Sequence, residues 1–201
     1  MKKYFFDSAF LKALCLCAFV PLCLLLISCQ MKDPTFYTKA GDDYINKSLY
    51  DKAIQAYSKA LEIDPNNTDA HYGLGRAYYN LSNFKQSIAS FRKVLSIKKQ
   101  YPEAHYMIAF VHDRLNEYDR AIPEYEAAIK QKENFTEAYL NLGAIYEKQE
   151  KYEEALKIYE KAKSKISDSK ELFQALGNVY TKLGDEDKAK EYYELAKGKK
   201  K

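Results

Sequence analysis

From residue 34 onward, apolar and small residues recur along the chain with a constant spacing of 34 residues. Inside each block, two runs of residues place these positions three and four apart, which is the spacing of one face of a helix. No insertion interrupts the register, so the blocks are expected to stack as equivalent units. The pattern predicts five consecutive helix pairs, in blocks 34–67, 68–101, 102–135, 136–169 and 170–201.

Two columns of this pattern indicate how the helices of a block pack. The eighth position is small in every block and the twenty-fourth is aromatic: Gly41, Gly75, Ala109, Gly143 and Gly177, then Tyr57, Phe91, Tyr125, Tyr159 and Tyr193. Small residues let two helix axes approach, and aromatic rings fill the space beside them. Turn-forming sequences such as Asn46-Lys47-Ser48 and Gly184-Asp185 separate the two helices of a block.

These columns resemble the tetratricopeptide repeat, in which Leu, Gly and Tyr mark the first helix, and Ala, an aromatic residue and Ala mark the second. The resemblance extends from Pro34 to the C-terminus, with His71 and His105 replacing the aromatic residue at the fourth position. It implies an all-α fold, a right-handed α-solenoid of five helix-turn-helix units. In the last block, Lys190 and Lys197 stand where the first three blocks have Ile or Leu, as expected for a terminal cap.

The resemblance also implies a binding site, because first helices line a concave groove in this family. The groove positions hold aromatic, apolar and charged residues: Tyr72, Arg76, Tyr79, Tyr106, Phe110, Asp113, Arg114, Leu140 and Lys148. Exposed aromatic residues and arginine commonly anchor protein interfaces, so a protein or peptide client is expected here. The alternative is that the aromatic side chains only pack between neighbouring first helices.

One subclass of the family binds the C-terminal carboxylate of chaperones through lysine, arginine and asparagine at fixed positions. Acidic residues such as Glu103, Glu137 and Glu171 stand where those cations are needed. A co-chaperone of that type is therefore disfavoured.

The first 28 residues have the order of a secretory signal, with Lys2 and Lys3 followed by an uncharged stretch from 13 to 28. Its end, Leu26-Ile27-Ser28-Cys29, resembles the bacterial lipobox. That resemblance implies cleavage before Cys29, lipidation of Cys29 and a short tether over 29–33. Lipid on Cys29 would anchor the protein to a membrane, whereas the alternative is an uncleaved signal anchor. Gln30 lacks the aspartate that retains some lipoproteins at the inner membrane, which favours the outer membrane, on its periplasmic or surface face.

Composition and charge narrow the chemistry further. With 32 Lys and Arg against 28 Asp and Glu, the chain lacks the basic excess of nucleic-acid-binding proteins. All four cysteines precede residue 30, and the three histidines, His71, His105 and His112, occupy packing columns. We therefore expect no catalytic residue, no metal site, no cofactor and no small-molecule substrate.

These observations predict a membrane-anchored lipoprotein that acts as a protein-interaction scaffold in the bacterial cell envelope. Anchored members of the family serve in outer-membrane assembly, as secretion or pilus pilot proteins, or as surface adhesins, and all three remain open. The alternative is a structural or self-associating periplasmic spacer without a foreign client.

Overall fold

The computed structural model describes residues 33–166 and 169–198. Over this part of the chain there are ten helices and no strand: α1 Pro34–Asn46, α2 Tyr50–Ile63, α3 Thr68–Asn80, α4 Phe84–Ile97, α5 Pro102–Arg114, α6 Tyr118–Gln131, α7 Thr136–Lys148, α8 Tyr152–Lys163, α9 Lys170–Lys182 and α10 Glu186–Ala196. The first helix of every pair begins at the residue that opens a predicted block. The prediction of an all-α helical repeat fold is confirmed.

The predicted leader, the lipobox and Cys29 lie outside the described residues. Among the helices that the structure does describe, none has both the length and the apolar character needed to cross a bilayer.

The described chain divides into two compact units, one ending at Gly73 and the other beginning at Leu74. In the first unit, the ring of Tyr57 in α2 is completely buried and lies against Gly41 in α1. Its hydroxyl donates a hydrogen bond of 2.7 Å to Asp42 Oδ1. The aromatic column thus fills the space over the small column within this helix pair, as the sequence pattern predicts.

The second unit repeats this packing along its helices. Tyr125, Tyr159 and Phe91 are fully buried together with aliphatic residues of the first helices, such as Ile108 and Leu142. The small column of the second helices is buried as well, at Ala121, Ala128, Ala155 and Ala162. Large rings and alanines are therefore buried together where the helices meet, which removes apolar surface from water.

Each first helix ends in the same backbone turn. At this turn, each block has one residue in a left-handed conformation, with φ between 57° and 80°: Ser48, Ser82, Asn116, Glu150 and Gly184. The next amide donates to the carbonyl five residues earlier, as from Lys151 to Tyr146 at 2.9 Å. This pair of features is a Schellman helix end, which satisfies carbonyls that the helix leaves free. It occurs in the fourth block although Glu150 is not a turn-forming residue by type.

A polar network connects α8 with α10 near the end of the second unit. Lys163 Nζ donates to the Tyr192 hydroxyl at 2.6 Å and pairs with Glu160 Oε2 at 3.0 Å. Tyr192 in turn donates to Glu160 Oε1 at 2.9 Å, so the three groups form a closed triangle. Tyr180 from α9 stacks on the ring of Tyr192, with ring centroids 5.5 Å apart.

Candidate protein-binding surface

The first-helix surface is our name for the side of the second unit formed by Arg76, Tyr79, Tyr106, Phe110, Asp113, Arg114, Leu140 and Lys148. All eight were predicted to line a groove, and the end of α3 with α5 and α7 provides them. Tyr72, the ninth predicted residue, is half-buried and belongs to the first unit.

Aromatic rings form a continuous row on this surface. Tyr79 lies against Phe110 with ring centroids 5.5 Å apart, and Phe110 stacks on Tyr106 at 5.9 Å with an angle of 11° between the rings. Tyr106 then contacts Phe135 at 5.0 Å and the buried Tyr125 at 5.8 Å. The row is half-buried, so each ring packs against neighbours on one side and remains accessible on the other.

The polar end of Tyr106 is fixed by the next repeat. Asn141 Nδ2 in α7 donates a hydrogen bond of 3.1 Å to the Tyr106 hydroxyl. Burial raises the pKa of Tyr106, and the hydrogen bond from Asn141 offsets part of that effect. The phenol therefore stays neutral over the physiological pH range and holds the ring in one orientation.

Charged residues flank the aromatic row at the C-terminal ends of the first helices. Lys148 Nζ contacts Asp113 Oδ1 at 2.8 Å, which joins α7 to α5, and the same ammonium lies 5.6 Å from the centre of the Tyr118 ring. Arg114 is exposed and Arg76 is half-buried. Within residues 33–166 and 169–198, neither guanidinium has an ion-pair partner, so both can bind an acidic group.

Leu140 is half-buried and packs against the core of the second unit, as does Tyr106. One side of each side chain therefore contacts the core and the other side faces out. This arrangement is compatible with packing between first helices and with binding a client, the two interpretations of the sequence. The surface combines an apolar row with unpaired cations.

Asn141 was not among the predicted site residues, although it orients Tyr106. The only indication in the sequence was that Asn141 is a polar residue between two leucines, Leu140 and Leu142. Phe135 was also missed, because it precedes α7 and lies outside the helix positions that the family pattern assigns to the groove.

The three histidines have local structural contacts. His105 Nδ1 lies 2.6 Å from Glu124 Oε2, and His112 Nδ1 lies 2.7 Å from Glu117 Oε2. His71 contacts the carbonyl of Pro65 at 3.0 Å. In the part of the chain that the structure describes, no three histidine, cysteine or acidic side chains come together as a metal-binding group.

Family comparisons match these repeats directly. A model described as "TPR repeat" matches residues 41–82, and two models described as "Tetratricopeptide repeat" match residues 106–170 and residues 68–101 with 171–198. The chain is a tetratricopeptide repeat protein. Proteins of this class are scaffolds for protein interactions, which agrees with the aromatic and cationic surface described above.

Solved structures of tetratricopeptide repeat proteins share the fold. The crystal structure of MamA is 29% identical, has a TM-score of 0.70, and matches over 83% of this chain and 90% of its own. PilF of Pseudomonas aeruginosa is 22% identical with a TM-score of 0.72, covering 84% and 77%. YrrB, described as "a TPR protein with an unusual peptide-binding site", is 24% identical with a TM-score of 0.65, covering 86% and 89%. Among curated proteins, no match was found.

Proposed function

We propose that this tetratricopeptide repeat protein is a lipid-anchored scaffold of the bacterial envelope that binds a segment of another protein on the first-helix surface. Binding, without turnover, is the mechanism. The observation that carries the proposal is the accessible aromatic row from Tyr79 through Phe110 to Tyr106, flanked by two arginines without an ion-pair partner among the described residues. Rigid aromatic rings provide large contact areas at a low entropic cost, and aromatic residues and arginine dominate the energetics of many interfaces.

The chemistry of this surface selects the kind of segment that fits. Apolar or aromatic side chains of a client would lie along Phe110 and Tyr106, and an acidic side chain would pair with Arg114. Lys148 and Asp113 already pair with each other and remain partly exposed. They would therefore contribute more to the specificity for a client than to its affinity. YrrB, which has the same fold, supports the idea that such repeats recognise a peptide.

Membrane attachment through Cys29 is the second part of the proposal. Lipid chains on the new N-terminus would hold the protein firmly, since more than one chain is needed for stable anchoring. The tether over 29–33 spans at most about 18 Å when extended, which would keep the repeats near the bilayer. We favour the outer membrane, on its periplasmic or surface face, because Gln30 follows the lipidated residue.

The alternative function is a structural spacer in which the first-helix surface packs on a second copy of the chain. It relies on the same half-buried aromatic row. In the first function a foreign protein contacts the first-helix surface, whereas in the second another copy of the chain does. One experiment separates them.

That experiment is photocrosslinking in the native cells, with p-benzoylphenylalanine placed at Lys148, an exposed residue of the first-helix surface, in the full chain. The matched control has the same probe at Lys157, an exposed residue of α8 outside the first-helix surface. We expect one foreign protein to be crosslinked from residue 148 and not from residue 157. Crosslinks only to a second copy would support the spacer, and identical products from both positions would refute a client-binding surface.

A further inference from the structure

A cleft of about 370 Å³ opens between α6, α7 and α8, and it contains none of the residues of the first-helix surface. Its volume is that of a pocket for a small organic molecule. The apolar part of its lining consists of Ile129, Leu142 and Ile158, one residue from each of the three helices. Ile129 and Leu142 belong to the buried core, so this part of the cleft is a fixed apolar wall.

Cations line the rest of the cleft. Lys130 and Lys161 are both exposed, and within the described ranges neither ammonium lies within ion-pair distance of a carboxylate. Lys165 is paired with Glu133 at 2.8 Å. Glu126 is the remaining charged residue of the lining, so three lysines face two glutamates and one positive charge is in excess.

One residue of the lining has a buried polar group without a partner among the described residues. Tyr139 of α7 lines it and is only 1% exposed, and its hydroxyl forms no hydrogen bond with any described residue. Burial raises the pKa of this phenol, and the nearby Glu133 carboxylate adds to the effect. A buried hydroxyl that lacks a partner costs free energy, and most buried polar groups in proteins have a partner, so this hydroxyl can still donate to a bound acceptor.

We propose that this cleft is a second binding site, which accepts an apolar group carrying one carboxylate. The apolar body would contact Ile129, Leu142 and Ile158. The carboxylate would pair with Lys130 or Lys161 and accept the hydrogen bond of Tyr139. Both a free organic acid and the C-terminal residue of a peptide have this chemistry.

The test uses the full chain in lipid nanodiscs, with empty nanodiscs as the blank, and ligand-observed NMR titration. The probes are 4-phenylbutanoate and its neutral analogue 4-phenylbutan-1-ol. We expect 4-phenylbutanoate to bind with a Kd below about 1 mM and the alcohol to bind about tenfold more weakly. Equal affinities for the two probes, or no binding of the acid up to about 10 mM, would overturn the proposal.

Three variants locate the binding. The double variant Lys130→Ala/Lys161→Ala is expected to weaken 4-phenylbutanoate at least about tenfold, whereas the control Lys157→Ala, one turn away on α8 and outside the lining, is expected to leave the Kd unchanged. Ile158→Trp, which fills the cleft, should abolish binding. If the double variant binds as the unchanged chain does, the cleft is not the site.

Tyr139→Phe separates a ligand contact from a structural role. Removing a hydroxyl that has no partner leaves the melting temperature unchanged or higher, while binding of the acid weakens about fivefold. If a Tyr139→Phe variant melts at a lower temperature and binds the acid normally, the hydroxyl stabilises the fold and does not contact the ligand.

The two sources of the carboxylate are compared with N-acetyl-Leu-Phe, as the free acid and as the amide. Stronger binding of the peptide acid than of 4-phenylbutanoate would indicate a peptide C-terminus as the natural ligand. The reverse order would indicate a free organic acid.

Discussion

The ring of Tyr159 in α8 covers Gly143 in α7 so closely that a Cβ at residue 143 would overlap the ring carbons. Tyr159 is fully buried and its hydroxyl donates to Glu147 Oε1 at 2.5 Å, so the ring cannot turn aside without breaking that hydrogen bond. The same pairing of glycine and ring occurs at Gly41 with Tyr57 and at Gly75 with Phe91. In the repeats that have glycine at this position, the contact between the two helices thus depends on the absence of one carbon atom, whereas the third repeat accommodates Ala109 beside Tyr125.

We expect Gly143→Ala to lower the free energy of unfolding by about 1–3 kcal/mol, because the added methyl group overpacks the core. Thermal unfolding followed by far-ultraviolet circular dichroism measures the effect. In a double-mutant cycle, combining Gly143→Ala with Tyr159→Leu should cost less than the sum of the single changes. An unchanged or higher melting temperature for Gly143→Ala would contradict the overlap, because helix propensity alone favours alanine by about 1 kcal/mol.

The helix end at Glu150 predicts a stabilising substitution. Glu150 has φ of 58°, a conformation in which a side chain is unfavourable by about 1 kcal/mol and glycine is not. Glu150→Gly should therefore raise the free energy of unfolding by about 0.5–1 kcal/mol. Gly184→Ala, at the equivalent turn with φ of 80°, should lower it by about the same amount. Shifts of the same sign for both variants would refute this account.

The Glu160 triangle predicts a loss of stability in acid. Burial alone would raise the pKa of Glu160, but hydrogen bonds from Lys163 and Tyr192 outweigh it and hold the pKa below its usual 4.5. A depressed carboxyl pKa contributes stability above pH 4.5, and this contribution is lost as the pH falls through the lower pKa of the folded state. We expect Glu160→Gln to cost about 1 kcal/mol at pH 7, after allowance for solvent screening, and progressively less as the pH falls below 4.5.

Urea unfolding at pH 7 and at pH 3 measures this difference. Glu191→Gln is the matched control, because Glu191 is exposed on α10 and should give no pH-dependent change. If Glu160→Gln destabilises equally at both pH values, the charge of Glu160 has no role in the triangle.

Within the first-helix surface, Tyr106 and Arg114 are expected to respond differently to truncation. Tyr106→Ala should cost about 2 kcal/mol, because its ring contacts Phe135 and the buried Tyr125. Arg114→Ala should change stability by less than about 0.5 kcal/mol while weakening client capture, because the exposed guanidinium forms no ion pair with any described residue. Thermal melting and the yield of the crosslinked client are the two readouts. If Arg114→Ala lowers the melting temperature strongly, the arginine stabilises the fold and is not a free binding residue.

The lipid anchor predicts that Cys29→Ala neither incorporates a palmitate analogue nor yields the processed form of the chain. Metabolic labelling followed by gel electrophoresis checks both properties. Cys23→Ala, within the leader, is the control and should leave both unchanged. If Cys29→Ala is still labelled and processed, the resemblance to a lipobox is misleading.

Much of the fold could be predicted because the repeat period is present in every packing column. An aromatic residue at the twenty-fourth position and a small one at the eighth leave little choice about which helix faces meet. The turn at Glu150 could not be predicted in the same way. Glutamate has no preference for a left-handed conformation, and the backbone hydrogen bonds to Tyr146 and Glu147 impose it.

The sequence could place the candidate residues on first helices, but it could not predict their contacts. Repeat positions place Tyr106 and Asp113 on first helices, but their hydrogen bonds to Asn141 and Lys148 depend on how far one helix is shifted along the next. The cleft beside Tyr139 was not predictable at all. The cleft is a space left between three helices, and the pattern of residue types along the sequence does not indicate where such a space forms.

The left-handed turn residues Ser48, Ser82, Asn116 and Glu150 are all exposed and stand 34 residues apart. Because backbone hydrogen bonds fix each turn, its side chain can change without altering the helix end. These positions are therefore four equivalent attachment points, one in each of the first four repeats. A fluorophore at each in turn would show the order in which individual repeats melt, and whether a bound client protects one of them.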